Sequence, residues 1–399
     1  MYIKEVSKMK IALFTDTYEP FISGVTTSIK MLKEALEDMN HEVYIVTANL
    51  QNRKFKYDKN NKIIYIPGIK TNIYDARLTK FYSIKAMKII KSWNLDIIHS
   101  QTEFGIGLFS RIVAKKLKIP VVHTYHTMYE DYVYYITHGH FDNLAKKIVV
   151  KMTKYYCEKK CDQVIVPTEK IKDLFINKYN ITKNINVIPT GIDLTRFKLN
   201  DKIIKDVTKL KKKFKIKDTD FIIGSVGRIA SEKSFDKLLK NAHALISENS
   251  NIFVMFVGDG PELGNLKKLA KELNIEKNVI FTGKVPYDEV PSYFNLFDVM
   301  TSFSTTETQG LTILEGLAAK KPTLCINDES FKDTIENNYN GYLFNDDFEF
   351  RKYVVTLMHD KKLYDNLSKN AFNSIYKYSK EVFASEVLKV YHKAIEKKK

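Results

Sequence analysis

Phe221-Ile-Ile-Gly-Ser-Val226 is apolar on both faces of an extended chain, and it follows a polar, lysine-rich stretch from 198 to 220. A strand without a polar face must be covered on both sides, as in parallel sheets wrapped by helices. Similar runs follow at Ile252–Val257, Val279–Thr282, Val299–Ser302 and Pro322–Ile326, separated by helix-length amphipathic stretches. Upstream the same alternation has already been completed once. Its strands read Lys10–Thr15, Glu42–Thr47, Lys62–Pro67, Asp96–Ser100, Pro120–Thr124, Gln163–Pro167 and Asn186–Pro189. The restart at Phe221 therefore predicts two doubly wound α/β domains, 9–197 and 198–379. The stretch 380–396 is helical by period and is expected to pack back on the first domain. Such sheets bind ligands at the carboxyl ends of their strands, and two of them facing each other enclose a cleft.

Length and composition agree. A chain of 399 residues exceeds one ordinary core and suits two domains of about 150–200 residues. With 44% hydrophobic and 28% charged residues it reads as globular. No run of about 18 apolar residues occurs, and the N-terminus shows no apolar signal core. Cys157, Cys161 and Cys325 form neither an even disulfide set nor a zinc pattern. Together these features predict a cytoplasmic chain.

The net charge of +17 is unevenly spread: residues 1–200 carry 32 Lys and Arg against 19 Asp and Glu, the remainder 32 against 28. A basic N-terminal half suggests a polyanionic surface, with anionic lipid and nucleic acid as candidates. Lysine-rich codon usage would account for part of the excess without any function. Helix-turn-helix and RNA-recognition signatures are missing, so nucleic acid is not expected as a partner.

Residues 307–315, Glu-Thr-Gln-Gly-Leu-Thr-Ile-Leu-Glu, follow the strand at 299–302 and read as a helix opening after a polar loop. Thr308, Gln309, Gly310 and Leu311 would then supply the first helical N–H groups, which lack intrahelical partners and seat an anion such as diphosphate. A mostly helical segment would separate Glu307 from Glu315 by about 12 Å along the axis. Two surface glutamates on an amphipathic helix would give the same pattern.

Other strand ends carry further candidates. Asp16 follows the first strand and leads to Gly24, a turn before a helix expected over 26–39. His126 lies just beyond the strand at 120–124. Arg228 and Lys233 follow Val226, where two cations could clamp a diphosphate. Gly258-Asp-Gly260 and Gly283-Lys-Val285 end the next two strands. Taken singly, each has an ordinary alternative: a turn glycine, a structural histidine, an exposed basic loop.

Taken in order, the set resembles the GT-B glycosyltransferases of the large retaining family four, over roughly residues 9–395. The resemblance implies two Rossmann-like domains across a cleft. It implies that Arg228 and Lys233 hold the donor diphosphate, that Val285 meets the base through its backbone, and that Gly258 belongs to the donor site. Glu307 would contact the transferred sugar, Glu315 the ribose, and Thr308, Gln309, Gly310 and Leu311 the phosphates. His126 would stand beside the reacting sugar, Gly24 over the phosphates, and Asp16 near the acceptor. Two departures stand out: Ser23 precedes Gly24 where the family often has a second glycine, and Pro189-Thr190-Gly191 replaces Pro-Asn-Gly.

Within the family, the segments 14–28 and 123–131 look closest to the bacterial 1,2-diacylglycerol 3-glucosyltransferases. That likeness implies UDP-glucose as donor, diacylglycerol as acceptor and a peripheral place on the cytoplasmic face of the cell membrane. The sequence shows no acidic metal-binding cluster, so no obligatory cofactor or metal is expected. Another UDP-sugar, or another lipid, polysaccharide or protein as acceptor, stays open. Two stretches fit a helix lying in a headgroup layer, and an ordinary surface helix would give the same pattern. One carries Arg77, Lys80, Lys85, Lys88 and Lys91 among Leu78, Phe81, Tyr82, Ile84, Met87, Ile89 and Ile90. The other carries Lys146, Lys147, Lys151, Lys154, Lys159 and Lys160 among Phe141, Leu144, Ile148, Val149 and Met152. Tyr129, Tyr132, Tyr134 and Tyr135 could line an acceptor entrance.

Overall fold

The computed structural model describes residues 8–398 except 22, 52, 71–76, 80–81, 129 and 131–141. Its contacts divide the chain into two units: residues up to Gly191 together with those from Lys380 onward, and Ile192–Ser379. Seven helices matter below: α1 (Gly24–Asp38), α2 (Ile84–Ser92), α3 (Gly105–Leu117), α4 (Asp142–Lys159), α5 (Phe235–Glu248), α6 (Leu311–Ala318) and α7 (Lys380–Glu396).

The first unit is built on β1 (Lys10–Thr15), β2 (Glu42–Asn49), β3 (Lys56–Asp58), β4 (Ile63–Lys70), β5 (Arg77–Thr79), β6 (Ile97–Ser100), β7 (Val121–Thr124), β8 (Gln163–Val166) and β9 (Ile185–Val187). The strand order is β3-β4-β2-β1-β6-β7-β8-β9, with β5 pairing beside β4. The expected all-parallel sheet is mixed at one edge, since β3 and β5 run antiparallel to β4. Lys56-Tyr-Asp58 closes a short hairpin in which Asp58 accepts from Asn61 N at 3.0 Å. One tyrosine between Lys56 and Asp58 leaves no apolar run to read.

Elsewhere the local chemistry is direct. Ser23 caps α1 by accepting from Thr26 N at 3.2 Å, so the helix starts at Gly24, two residues earlier than expected. Ile29, Leu32 and Leu36 then face the sheet, joined by Phe383, Val387 and Tyr391 of α7. Each such side chain contributes about 1.5–3 kcal/mol on burial. The other face is covered by α2 and α3 through Ala86, Ile90, Ile106, Phe109 and Val113.

The second unit holds β10 (Phe221–Val226), β11 (Ile252–Val257), β12 (Val279–Phe281), β13 (Val299–Ser302), β14 (Thr323–Ile326) and β15 (Gly341–Phe344) in the order β12-β11-β10-β13-β14-β15. Every pairing is parallel. Leu238, Leu239 and Leu245 of α5 pack on one face, and Ile313, Leu314 and Leu317 of α6 on the other. In the first sheet the strand order reverses between β1 and β6, in the second between β10 and β13. The carboxyl ends beside those reversals are where this architecture seats ligands.

Candidate active site

In the first unit, Asp16 emerges from β1 and is held by α3. Its Oδ1 accepts from Ile106 N at 2.8 Å, and its own N–H is donated to Thr102 Oγ1 at 3.2 Å. Gly105 makes this approach possible: φ is +37°, and a Cβ there would lie 2.4 Å from Asp16 Oδ1 and 2.7 Å from Thr79 Oγ1. Burial pushes the Asp16 carboxyl up to about 7, helped by Glu103, while the Ile106 and Thr102 hydrogen bonds and Arg111 oppose.

His126 lies just past β7, its Nε2 2.7 Å from Gln101 Oε1. Burial drives its pKa down to about 4; Glu103 pulls upward and His123 adds to the fall. The ring is therefore neutral at physiological pH. Nearby, His123 Nδ1 is 3.0 Å from Ser100 O and its Nε2 3.0 Å from Glu103 Oε1. Two acceptors around one ring require a hydrogen on each nitrogen or on Glu103. Behind them, Arg111 donates to Ser100 Oγ at 3.1 Å and Gly107 O at 2.7 Å. Gln101, Glu103 and Arg111 are buried polar residues that the sequence reading missed. The dense polar string Ser100-Gln-Thr-Glu103 directly after an apolar strand was the available signal.

Gly24 is the exposed first residue of α1. Tyr129 lies outside the described residues, as do Tyr132, Tyr134, Tyr135, Phe141, Lys80 and Phe81.

In the second unit, Lys233 and Glu307, 74 positions apart in sequence, meet at 2.5 Å. Lys233 ends a short 3₁₀ turn, Ser231–Lys233, after β10. Glu307 sits in the loop after β13, where Ser330 Oγ donates to its carbonyl at 2.8 Å. Arg228 is ion-paired with Glu232. The Glu232 carbonyl also accepts from Ser304 Oγ at 3.3 Å and Thr306 Oγ1 at 3.4 Å, tying the 304–306 loop to the 3₁₀ turn. Glu232 was not anticipated, because a carboxylate inside a basic loop reads from sequence as solvated.

Gly258 has φ +147°, and a Cβ on it would lie 1.9 Å from Gly227 O, so the ends of β10 and β11 touch backbone to backbone. Gly258 also bridges to Gly283, bringing in the loop that carries Val285. That loop continues to Tyr287, whose carbonyl accepts from Arg196 Nη2 at 2.8 Å and whose ring lies 3.6 Å below the Arg196 guanidinium. Burial raises the Glu315 carboxyl to about 7, against the pull of Arg196.

The segment around Glu315 corrects one expectation. Residues 308–310 are not helical: α6 begins at Leu311, with Gly310 at φ +77° as its N-cap. The leading amides thus belong to Leu311 and the residues after it, while Thr308, Gln309 and Gly310 line the preceding loop. An axial spacing of about 12 Å no longer follows, because helical rise does not apply to 307–310. The cause is the αL glycine, which ends the loop conformation and opens the helix in one step. Among the described residues, no group of three or more His, Cys, Asp or Glu is placed to hold a metal ion.

The model for "Glycosyltransferase Family 4" matches residues 22–196 and that for "Glycosyl transferases group 1" matches 206–374. An alpha-monoglucosyldiacylglycerol synthase of Acholeplasma laidlawii is 36% identical over 395 residues, 98% of each chain. The chain belongs to glycosyltransferase family 4. A second alpha-monoglucosyldiacylglycerol synthase, from Streptococcus pneumoniae, is 38% identical over 337 residues, covering 84% of this chain and 75% of that one. Among solved structures, Anabaena Alr3699/HepE in complex with UDP and glucose superposes with a TM-score of 0.73 at 16% identity, covering 96% of this chain and 99% of that one. The fold is GT-B, and the protein is a hexosyltransferase.

Proposed function

We propose that this protein transfers glucose, with retention, from UDP-glucose to diacylglycerol at a membrane surface, giving monoglucosyldiacylglycerol. The observation that carries the reading is the Lys233–Glu307 pair at the β10 and β13 ends, in a chain that aligns over its length with a monoglucosyldiacylglycerol synthase. The domains divide the work: the unit of residues up to Gly191 with those from Lys380 onward, a boundary six residues earlier than the expected 197, receives the acceptor, and Ile192–Ser379 the nucleotide sugar.

In this mechanism the donor exchanges the internal ion pairs for its own. Lys233 leaves Glu307, and Arg228 leaves Glu232, for the diphosphate. Both cations then neutralise the charge that grows on the leaving UDP as the bond from the anomeric carbon breaks, which is electrostatic catalysis by preorganised groups. Glu307, released from Lys233, accepts from a hexose hydroxyl. Glu315 meets the ribose hydroxyls, Val285 the base, and the loop and helix amides of 308–311 the phosphates, with Gly258 leaving room beside them. The family resemblance assigns Gly24 to the phosphates, His126, as a neutral imidazole, to the hexose, and Asp16 to the acceptor hydroxyl. A carboxylate pair acting as in glycoside hydrolases is disfavoured, since Glu315 is assigned to ribose.

The membrane role is supported by two helix faces. On α4, Leu144, Ile148 and Tyr155 are each more than half exposed on the side opposite buried Thr153, Tyr156 and Cys157. Lys147, Lys151 and Lys154 flank that stripe and, with Lys146, line an open groove that also holds the Lys178–Glu130 ion pair. The stretch from Arg77 is not one helix as expected, since Arg77–Thr79 pairs as β5 and α2 starts only at Ile84 behind its Ser83 cap. On α2, Ile84, Lys85, Lys88 and Lys91 are exposed while Ala86 and Ile90 are buried. No helix among the described residues is long and apolar enough to cross a membrane. Peripheral attachment to anionic lipid on the cytoplasmic face fits these features.

Mixed micelles test the acceptor. UDP-sugar turnover should rise on adding diacylglycerol, and rise further with anionic lipid. Turnover that ignores diacylglycerol but responds to another acceptor would transfer the reading to that acceptor.

A further inference from the structure

Gln101 follows β6 directly; its backbone N–H is donated to Phe14 O at 2.8 Å, which fixes its place beside β1. The side chain is 2% exposed. Its Oε1 faces His126 Nε2 at 2.7 Å, whereas its Nε2 is buried and makes no hydrogen bond. An amide oxygen can only accept, so the shared hydrogen sits on His126 Nε2 and the ring lone pair on Nδ1. The amide nitrogen, for its part, is a donor left unpaired at a cost of about 1–3 kcal/mol. Folded proteins keep few such groups, and those they keep call for a partner. Thr79 Oγ1, beside Asp16 and Gly105, is a second buried polar atom without one. Both lie by the β1–β6 reversal, where the architecture seats ligands.

We propose that Gln101 is a positioning residue for His126, holding it as the Nε2–H tautomer, and that its unpaired amide N–H is a donor completed by an oxygen of the transferred hexose. The second half rests on placing His126 beside the hexose. With the tautomer fixed, the ring keeps its acceptor at Nδ1. Protonation would remove that acceptor.

Among the described residues, the titratable groups acting on His126 are Glu103 from the segment between β6 and α3, His123 from β7 and His99 from β6. His99 is itself held between Tyr391 Oη and Thr124 Oγ1, each at 2.7 Å, and burial keeps it neutral. Glu103 is thus the one acidic group in this set. A second carboxylate in contact with Nε2–H would reverse the balance that keeps the imidazole uncharged.

The full-length chain, labelled with ¹⁵N and ¹³C in histidine, provides the test, with the His126 signals assigned through His126→Asn. Wild type should show the Nε2–H tautomer and no titration of His126 between pH 5.5 and 8, following from its depressed pKa of about 4. Gln101→Glu should raise the His126 midpoint by roughly 1–3 pH units, the effect of an adjacent opposite charge. Gln101→Leu should abolish the tautomer preference. In transfer assays, Gln101→Glu should add an acid limb to the pH profile, and Gln101→Leu should lower kcat/KM about tenfold, the worth of one neutral hydrogen bond. An Nδ1–H tautomer in wild type, or a midpoint unmoved by Gln101→Glu, overturns the positioning role. Unchanged kcat/KM in Gln101→Leu overturns the donor role. If wild type itself transfers no sugar, the functional reading fails, yet the tautomer and midpoint still decide whether Gln101 governs His126.

Discussion

Lys233→Ala separates catalysis from stability at the same contact. Lys233 and Glu307 are 25% and 17% exposed, so their pair is neither dry nor fully solvated. At that exposure solvent screening holds its stabilising worth to about 1 kcal/mol. In a unit the size of Ile192–Ser379 that lowers Tm by roughly 2–4 °C. In the transition state the same ammonium faces the departing diphosphate, and loss of one preorganised charge-stabilising donor costs about a hundredfold to a thousandfold in kcat, or roughly 3–4 kcal/mol. The predicted outcome is thus a protein that melts within a few degrees of wild type and turns over at least a hundredfold more slowly. Glu307→Ala should show the same disproportion. The double variant should fall well short of the product of the two losses, since residues acting as a unit are not additive. Steady-state transfer alongside calorimetry measures both quantities. A Lys233→Ala protein with kcat/KM within threefold of wild type, or a rate loss that merely follows the unfolded fraction, would refute the reasoning.

Three further outcomes follow from named contacts. The Asp16 carboxyl is raised from its ordinary 3.8 to about 7, so the folded state binds the extra proton. Its contribution to stability is present at acid pH and is lost as pH climbs from about 4 to 7. Asp16→Asn, which keeps the oxygen facing Ile106 N, should flatten the fall of Tm across that window. Gly258→Ala should destabilise by about 1–3 kcal/mol and weaken UDP binding, because its Cβ would lie 1.9 Å from Gly227 O. Calorimetry and UDP titration would detect both effects. Replacing Lys147, Lys151 and Lys154 together by Gln should weaken binding to anionic vesicles about a hundredfold at low salt, at about 1 kcal/mol per lysine. Flotation assays at two ionic strengths would measure the loss.

Much of the architecture was legible because long apolar strands and amphipathic helices carry a strong period. Phe221–Val226 and Ile252–Val257 read as buried strands and pair in register over their whole length. The hairpin strand β3, the three-residue β5 and the short β15 escaped, since none gives an apolar run long enough to register. Gly310 misled for a different reason: a glycine between a loop and a helix reads equally as the first helical turn or as the residue before it, and only its φ decides. The candidate site residues stood out as exceptions at strand ends. Their partners, Glu232, Gln101 and Arg196, were not, because what distinguishes them is a contact with a residue distant in sequence or a burial that a linear string does not encode. Lys233 and Glu307 could be singled out from the chain, but not their meeting.

Incubating the protein with UDP-glucose carrying a labelled glucose and vesicles that contain diacylglycerol and an anionic lipid measures the transfer itself. The account predicts that label moves into the lipid phase as a monoglucosyl product, with retained anomeric configuration, and that Lys233→Ala abolishes most of it. Folded wild-type protein that leaves the lipid phase unlabelled, while transferring sugar to another acceptor or none at all, would contradict it.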